Sequence, residues 1–162
     1  MQSSKVLEIA LTQKGLEEIP RGSNWGVNCK KYLLSVGIDF PASWCMAFVY
    51  WCVEEAKIRI PDGTGGLRNP LVKTGGVLRQ WNEIETQFKQ PKCKFQIPLP
   101  GDIFIMDFGS GHGHTGFVLS VNGDRIETLE GNSNDDGSRE GYMVCSKPGG
   151  RKISSIKGFI RI

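Results

Sequence analysis

The sequence has few histidines and no cluster of cationic residues. Only two of its 162 residues are histidine, the net charge is +3, and Lys and Arg never occur in a run longer than two. A nucleic-acid-binding surface usually shows a dense basic stripe, so we expect no nucleic-acid partner. If the chemistry needs an imidazole base, that base is His112 or His114.

Long apolar segments are also missing. The opening residues, MQSSKVLEIALTQKGLEE, form a short apolar stretch that Glu8 and Gln13 interrupt, which is not typical of a secretory signal. No segment reaches the roughly 18 apolar residues that a membrane span requires. We therefore expect synthesis in the cytoplasm without a signal peptide, and no membrane partner.

The cysteines lack any regular spacing. Five of them, an odd number, occur at positions 29, 45, 52, 93 and 145, and none forms a C-x-x-C pair. An odd count without a signal peptide favours free thiols, and the missing C-x-x-C pair argues against a structural zinc site. We expect no bound metal and no cofactor.

Helical patterns precede strand patterns along the chain. The predicted helices cover residues 3–13, 27–36, 44–56 and 77–84. The predicted strands cover residues 102–108, 114–121, 124–130, 139–145 and 153–162. Ser43 is a natural N-cap for the third helix, and Asn122-Gly123 is a hairpin turn signal. The pattern predicts an α+β fold in which N-terminal helices pack on a C-terminal antiparallel sheet, with residues 1–162 as one domain.

A cysteine stands at the predicted start of the third helix. Residues 45, 48, 49, 52 and 56 share one buried stripe, so Cys45 opens the helix. A helix N-terminus and a nearby imidazolium both favour the thiolate, which is the nucleophilic form of cysteine. The alternative is a small buried side chain without a chemical role, as most free cysteines are.

Both histidines lie in GSGHGHTGFVLSV, between two predicted strands. His114 opens a strand, whereas His112 falls in the glycine-rich turn and suits a surface position. The next strand ends with Glu130 and Asn132, and the predicted hairpin places that end near His114. A catalytic imidazole needs an acceptor on its second nitrogen, so either residue can orient the ring. The alternatives to a role in the site are a solvated strand end for Glu130 and a turn residue for Asn132.

Taken in order, these segments resemble the CHAP domain, a family of cysteine- and histidine-dependent amidohydrolases and peptidases related to NlpC/P60 within the papain-like superfamily. The segments that carry the resemblance are residues 43–49, 51–52, 100–103, 113–118 and 130–132. The loop of residues 18–24 is similar to the N-terminal loop of some members. The resemblance spans roughly residues 10–135 and implies a papain-like fold.

The resemblance implies cleavage of an amide bond in peptidoglycan, by an endopeptidase or an N-acetylmuramoyl-L-alanine amidase. Cys45 is then the nucleophile and His114 the base, with Glu130 orienting the ring and Asn132 assisting or replacing it. The protein would be a phage lysin or a delivered antibacterial toxin that acts at the cell wall or in the periplasm. A toxin implies an immunity protein as partner, and a monomer is the default state.

Several residues are candidates by position alone. Trp44, Asn24 and Trp25 are candidate substrate-binding residues. The Cys45 backbone N–H would supply one donor to a developing oxyanion, and Asn24, Asn28 or Trp44 the second. Some relatives carry an acidic calcium loop before the nucleophile, but Asp39 is the only acidic residue here, so no calcium is expected.

Two other functions remain open. His112 and His114 have the spacing of paired metal ligands on a strand, as in zinc peptidases of the cell wall. An inactive wall- or protein-binding module on the same fold is the second alternative. A dinucleotide site is excluded, because a strand rather than a helix follows the glycines at 111, 113 and 116.

Overall fold

A computed structural model gives the fold and describes residues 2–91, 97–135 and 141–162. The helices are α1 (Gln2–Thr12), α2 (Lys30–Ser35), α3 (Cys45–Glu55) and α4 (Val77–Glu83). The strands are β1 (Ile60–Pro61), β2 (Leu67–Arg68), β3 (Lys89–Pro91), β4 (Ile103–Gly109), β5 (His112–Asn122), β6 (Arg125–Ser133), β7 (Met143–Cys145), β8 (Arg151–Lys152) and β9 (Gly158–Ile160).

One antiparallel sheet organises the second half of the molecule. Its strand order is β3-β9-β4-β5-β6-β7, and β8 pairs with β6. The strands β1 and β2 form a separate short hairpin. The predicted α+β class is confirmed.

Both faces of the sheet are buried. On one face, Phe117 and Leu129 pack with Phe48 of α3 in the larger core. On the other face, Phe104 and Ile126 belong to a smaller core. Burial on two faces explains why β4 is a continuous apolar run rather than an alternating one.

α3 opens at Cys45 as expected but lacks the predicted cap, and α2 begins later than predicted. α3 starts at Cys45 with Trp44 at the N-cap position and no side-chain cap, so Ser43 is not the cap. α2 starts at Lys30 because the chain first turns at Gly26, whose carbonyl accepts the Cys29 and Lys30 N–H groups.

The hairpin between β5 and β6 is displaced by one residue. Asn122 pairs with Arg125, so the turn residues are Gly123 and Asp124 rather than Asn122 and Gly123. The last predicted strand is also shorter, because Ile153–Ser155 forms a 3-10 turn before β9. Sequence patterns indicated neither β3 nor β8, and residues 139–140 of the predicted fourth strand lie outside the described residues.

The described cysteines are free, as predicted, and all of them are buried. They are Cys29, Cys45, Cys52 and Cys145. Cys93, which is also predicted to be a free thiol, lies outside the described residues. Within the described part of the chain, no helix has the length and apolarity needed to cross a membrane.

Candidate active site

Cys45 is the first residue of α3, and the sheet fixes the start of that helix. A Cβ atom on Gly131 of β6 would lie 2.7 Å from Phe48 and 2.9 Å from the Trp44 ring. Glycine at this position therefore lets the β6 backbone approach the first turn of α3. Cys45 is held beside the sheet with 5% of its surface exposed.

The N-terminus of α3 presents backbone donors that no side chain caps. Trp44 makes no side-chain cap hydrogen bond, and the Phe48 N–H donates to the Trp44 carbonyl at 2.9 Å. The N–H groups of Cys45, Met46 and Ala47 consequently have no partner within the helix. These donors and the positive end of the helix dipole favour negative charge here, on a sulfur or on a substrate oxygen.

His114 lies on β5 and contacts both Cys45 and Glu130. Its Nε2 is 2.7 Å from Glu130 Oε2, and the Cys45 side chain is close enough to the ring to raise its pKa. Since Nε2 faces the carboxylate, Nδ1 is the nitrogen left for the sulfur. Burial lowers the pKa of His114, but the hydrogen bonds and charges of Cys45 and Glu130 outweigh it and raise the pKa to about 9. The ring is therefore positively charged at neutral pH.

Glu130 is a fully buried carboxylate whose two oxygens are saturated with donors. Oε2 accepts hydrogen bonds from His114, from Ser133 Oγ at 2.9 Å and from Arg151 Nη2 at 2.6 Å. Oε1 accepts from Thr128 Oγ1 at 2.7 Å and from Arg151 Nε at 2.8 Å. Burial alone would raise the pKa of Glu130, but Arg151 and His114 hold that pKa well below its usual range. Glu130 therefore keeps its negative charge.

A glycine makes room for the contact between Glu130 and His114. A Cβ atom on Gly116 of β5 would lie 2.9 Å from Glu130 Cγ and 2.6 Å from the Leu129 carbonyl oxygen. Any larger residue at position 116 would displace the carboxylate. The glycine two residues after His114 is thus part of how the base and its acceptor meet.

Among the described residues, the His114 ring hydrogen bonds to Glu130 and not to Asn132. The pairing of β6 with β7 shifts between Glu130 and Ser133, and Asn132 sits in this bulge with a φ of 52°. In the part of the chain that the structure describes, the ring is hydrogen bonded to Glu130, and Cys45 is the other side chain that raises its pKa. The sequence left Glu130 and Asn132 as alternatives, and the geometry places Glu130 at the ring.

A second buried carboxylate, Glu18, fixes the N-terminal loop, which we define as residues 18–26. Glu18 Oε1 accepts the Trp44 indole N–H at 2.8 Å, and Oε2 accepts the Asn24 backbone N–H at 3.0 Å. Glu18 is only 2% exposed. The loop is thereby tied to the residue that precedes Cys45.

These contacts correct one positional expectation, that for the Trp44 side chain, whereas Asn28 keeps a second amide N–H and its oxyanion role stays a prediction. Trp44 is fully buried and its single N–H is donated to Glu18, so its side chain can neither bind substrate nor supply an oxyanion donor. The Asn28 side chain donates to the Glu17 carbonyl at 3.0 Å. Asn24 and Trp25 are half-buried in the N-terminal loop, and a substrate-binding role for them stays a prediction.

His112 opens β5, so the prediction that it lies in the turn and that His114 opens the strand is wrong; His112 is exposed, as predicted, whereas His114 is half-buried. Among the described residues, no group of three or more His, Cys, Asp or Glu side chains could hold a metal ion. The arrangement therefore does not favour the zinc-peptidase alternative.

Sequence patterns did not indicate four of the residues that build the site. They are Glu18, Thr128, Ser133 and Arg151. Thr128 could have been found, because it precedes Glu130 by two residues and so shares its strand face. Arg151 lies in the two-residue strand β8, 21 positions after Glu130. A strand this short has no periodic pattern that could indicate it.

Comparison with known protein families agrees with the resemblance seen in the sequence. The model of the CHAP domain family matches residues 35–132, which is more than half of the 162 residues. The match includes Cys45, His114 and Glu130, whereas Glu18 and Arg151 lie outside it. No curated protein and no solved structure matches the chain.

Proposed function

Because this chain belongs to the CHAP domain family, a family of amidases and peptidases of the peptidoglycan-hydrolase type, we propose that it cleaves an amide bond of peptidoglycan with Cys45 as nucleophile. The observation that carries the proposal is the position of His114, whose ring is close enough to Cys45 for that side chain to raise its pKa and whose Nε2 is 2.7 Å from Glu130 Oε2. A nucleophile, a base and an acceptor in this order form the arrangement of covalent amide hydrolysis.

In the first half of the reaction, the thiol proton resides on His114 and the Cys45 sulfur attacks the amide carbonyl carbon. A C–S bond forms, and the carbonyl π electrons move onto oxygen. The imidazolium then gives its proton to the amide nitrogen as the C–N bond breaks. The amine leaves, and a thioester on Cys45 and a neutral imidazole remain.

In the second half, water attacks the thioester carbonyl and passes one proton to His114. The C–S bond breaks, the acid product leaves, and the thiolate–imidazolium pair is restored. Glu130 stays ionised throughout and holds the Nε2 proton, so that Nδ1 keeps facing the sulfur. The uncapped N–H groups at the start of α3, beginning with Cys45, stabilise the oxyanion in both halves.

We also propose that the fold is papain-like and that residues 1–162 form one catalytic domain. A nucleophile at a helix N-terminus, packed against an antiparallel sheet that carries the base, supports the papain-like assignment. The strands β8 and β9 follow the matched segment of residues 35–132, yet they pair with β6 and β4 in the same sheet. Residues that follow the matched segment thus belong to the same sheet as the segment itself.

The proposed site of action is the cell wall or periplasm, reached as a phage lysin or as a delivered antibacterial toxin. The second route requires an immunity protein in the producing cell. Of the proposed substrate-binding residues, Asn24 and Trp25 remain, because both lie on the loop that Glu18 ties to Trp44.

Digestion of purified Gram-negative and Gram-positive peptidoglycan, with mass spectrometry of the fragments, tests the proposal. Wild type should release fragments whose masses identify the cleaved bond, and Cys45→Ala should release none. Cys52→Ala is the matched control, because Cys52 is a buried thiol on the same helix without a contact to His114 in the described structure. Wild-type cleavage should persist in a chelator.

Two results would overturn the proposal. Undiminished cleavage by a folded Cys45→Ala protein would remove the thiol mechanism. An absence of fragments from both walls with the wild-type protein would remove peptidoglycan as the substrate.

A further inference from the structure

Arg151 binds Glu130 through both arms of its guanidinium. Nε is 2.8 Å from Oε1 and Nη2 is 2.6 Å from Oε2, so the pair is bidentate. The Glu130 side chain is 0% exposed and the Arg151 side chain 18%. Paired bonds of this kind combine charge with fixed geometry and are stronger than neutral hydrogen bonds. Arg151 lies beyond the segment that matches the family, so no family motif points to it.

The charges of the site balance only when Arg151 is counted. The proposed reaction needs a negative Cys45 sulfur and a positive His114 ring, and Glu130 adds a second negative charge. Without Arg151 these three groups would leave one uncompensated negative charge in a buried site, which is costly. With Arg151 the four groups sum to zero.

The other titratable groups near Glu130 do not supply this balance. From β7, Cys145 pairs with Glu130 in the sheet, and burial raises the pKa of Cys145 to about 11, so it is a neutral thiol. Asp135 and Lys147 act on Cys145 with charges of opposite sign. The hydroxyls of Thr128 and Ser133 donate to Glu130 without adding charge.

We propose that Arg151 is a positioning residue that neutralises Glu130, so that the imidazolium of His114 is available to stabilise the sulfur of Cys45. This inference rests on the proposed function, because it assigns a task within that thiolate mechanism. When the guanidinium is removed, the field of Glu130 acts unopposed on both neighbouring groups. A nearby negative charge makes each of them hold its proton to higher pH.

The two contributions of Arg151, its positive charge and its bidentate hydrogen bonding, can be separated by substitution. Arg151→Gln removes the positive charge, whereas Arg151→Lys keeps the charge but cannot form two parallel bonds. Glu130→Gln removes the opposite charge. The proposal therefore predicts shifts of opposite sign for Arg151→Gln and Glu130→Gln, and a small shift for Arg151→Lys. A merely structural role would not produce this pattern.

The measurement is the pH dependence of Cys45 alkylation by iodoacetamide, followed by mass spectrometry of the peptide that contains Cys45. Only the thiolate reacts, so the rate reports its population without any substrate. Arg151→Gln should move the midpoint of thiolate formation upward by at most about one pH unit, because the guanidinium contacts Glu130 rather than the sulfur. Glu130→Gln should move it downward, and Arg151→Lys should leave it within a few tenths of a unit.

A second comparison applies if Arg151→Gln does not fold because it leaves a buried carboxylate without its cation. Glu130→Gln and the double variant Glu130→Gln/Arg151→Gln differ only in the guanidinium, and the double variant should have the higher midpoint. Equal midpoints in this pair, or an unchanged midpoint in folded Arg151→Gln, would overturn the inference. Because alkylation needs no wall substrate, failure of the peptidoglycan assay leaves this result interpretable, and the reverse also holds.

Discussion

The two sides of the site use buried glutamates in different ways. On the sheet side, Glu130 is bound by the cations Arg151 and His114 as well as by two hydroxyls. On the loop side, Glu18 is bound by neutral donors, the Trp44 indole and the Asn24 backbone N–H. Both carboxylates are removed from water, yet only one of them is connected to an ionisable ring.

Because of this difference, Glu130 acts on proton transfer by His114, whereas Glu18 acts on the position of a loop. Glu130 determines the charge and orientation of His114, because its negative charge and hydrogen bond both act on the ring. Glu18 has no such partner and instead fixes where the N-terminal loop sits relative to Cys45. Substitution of Glu130 should therefore change the pH dependence of the reaction, and substitution of Glu18 should change binding and stability.

The largest effect is expected from the base itself. Replacing His114 with Asn removes the proton carrier, and the rate of wall cleavage should fall at least about a thousandfold. Initial rates of fragment release measure it. His112→Asn is the matched control, since His112 is exposed and should leave the rate unchanged. Similar losses in both variants would contradict the assignment of His114.

Glu130→Gln should lower the rate about a hundredfold, because the ring loses the charged partner that orients it. It should also shift the pH profile. A raised pKa of about 9 keeps His114 protonated to high pH, so we expect wild-type activity to be lost only as the pH rises through that region. Without the carboxylate the pKa of His114 falls toward its ordinary value. The alkaline limb of the pH–rate profile, where activity declines, should therefore move to lower pH.

The control for this variant is Glu127→Gln, because Glu127 is an exposed glutamate on the same strand. Its alkaline limb should coincide with that of the wild type. A Glu130→Gln profile that kept the wild-type limb would show that the sheet side does not control the ring.

Glu18→Gln should have a smaller effect of another kind. The amide N–H₂ cannot accept one of the two donors, so a buried donor is left unsatisfied at a cost of about 1–3 kcal/mol in the free energy of unfolding. Thermal unfolding measures this loss, and KM should rise while the alkaline limb stays in place. Glu17→Gln, with its side chain 39% exposed, is the neighbouring control. A shifted limb in Glu18→Gln would erase the contrast between the two sides.

The smallest change is expected at the half-buried Trp25. Trp25→Ala should raise KM a few-fold through lost contact with the substrate, with kcat and the alkaline limb preserved. Steady-state kinetics on purified fragments would show it. An unchanged KM would remove Trp25 from the substrate-binding residues.

Local sequence signals were sufficient for the parts of the site that depend on helix starts and strand ends. Cys45 follows from the start of a buried stripe, and the contact between His114 and Glu130 follows from one hairpin. That hairpin turns at residues 123–124 instead of 122–123, but the far ends of its strands still meet. Contacts between distant segments could not be predicted in this way. The burial of Trp44 depends on Glu18, and the neutralisation of Glu130 depends on Arg151, with no repeating pattern to mark either pair.

The position of β9 has a consequence for the order in which the protein is built. β9 lies inside the sheet, between β3 and β4, although its residues follow those of β4 by more than 40 positions. During translation, β4 can pair with β5 as a local hairpin, but its other edge stays open until residues 158–160 have left the ribosome. Arg151 emerges with the same late segment. A nascent chain thus carries its thiol beside an unfinished sheet until synthesis has passed these residues.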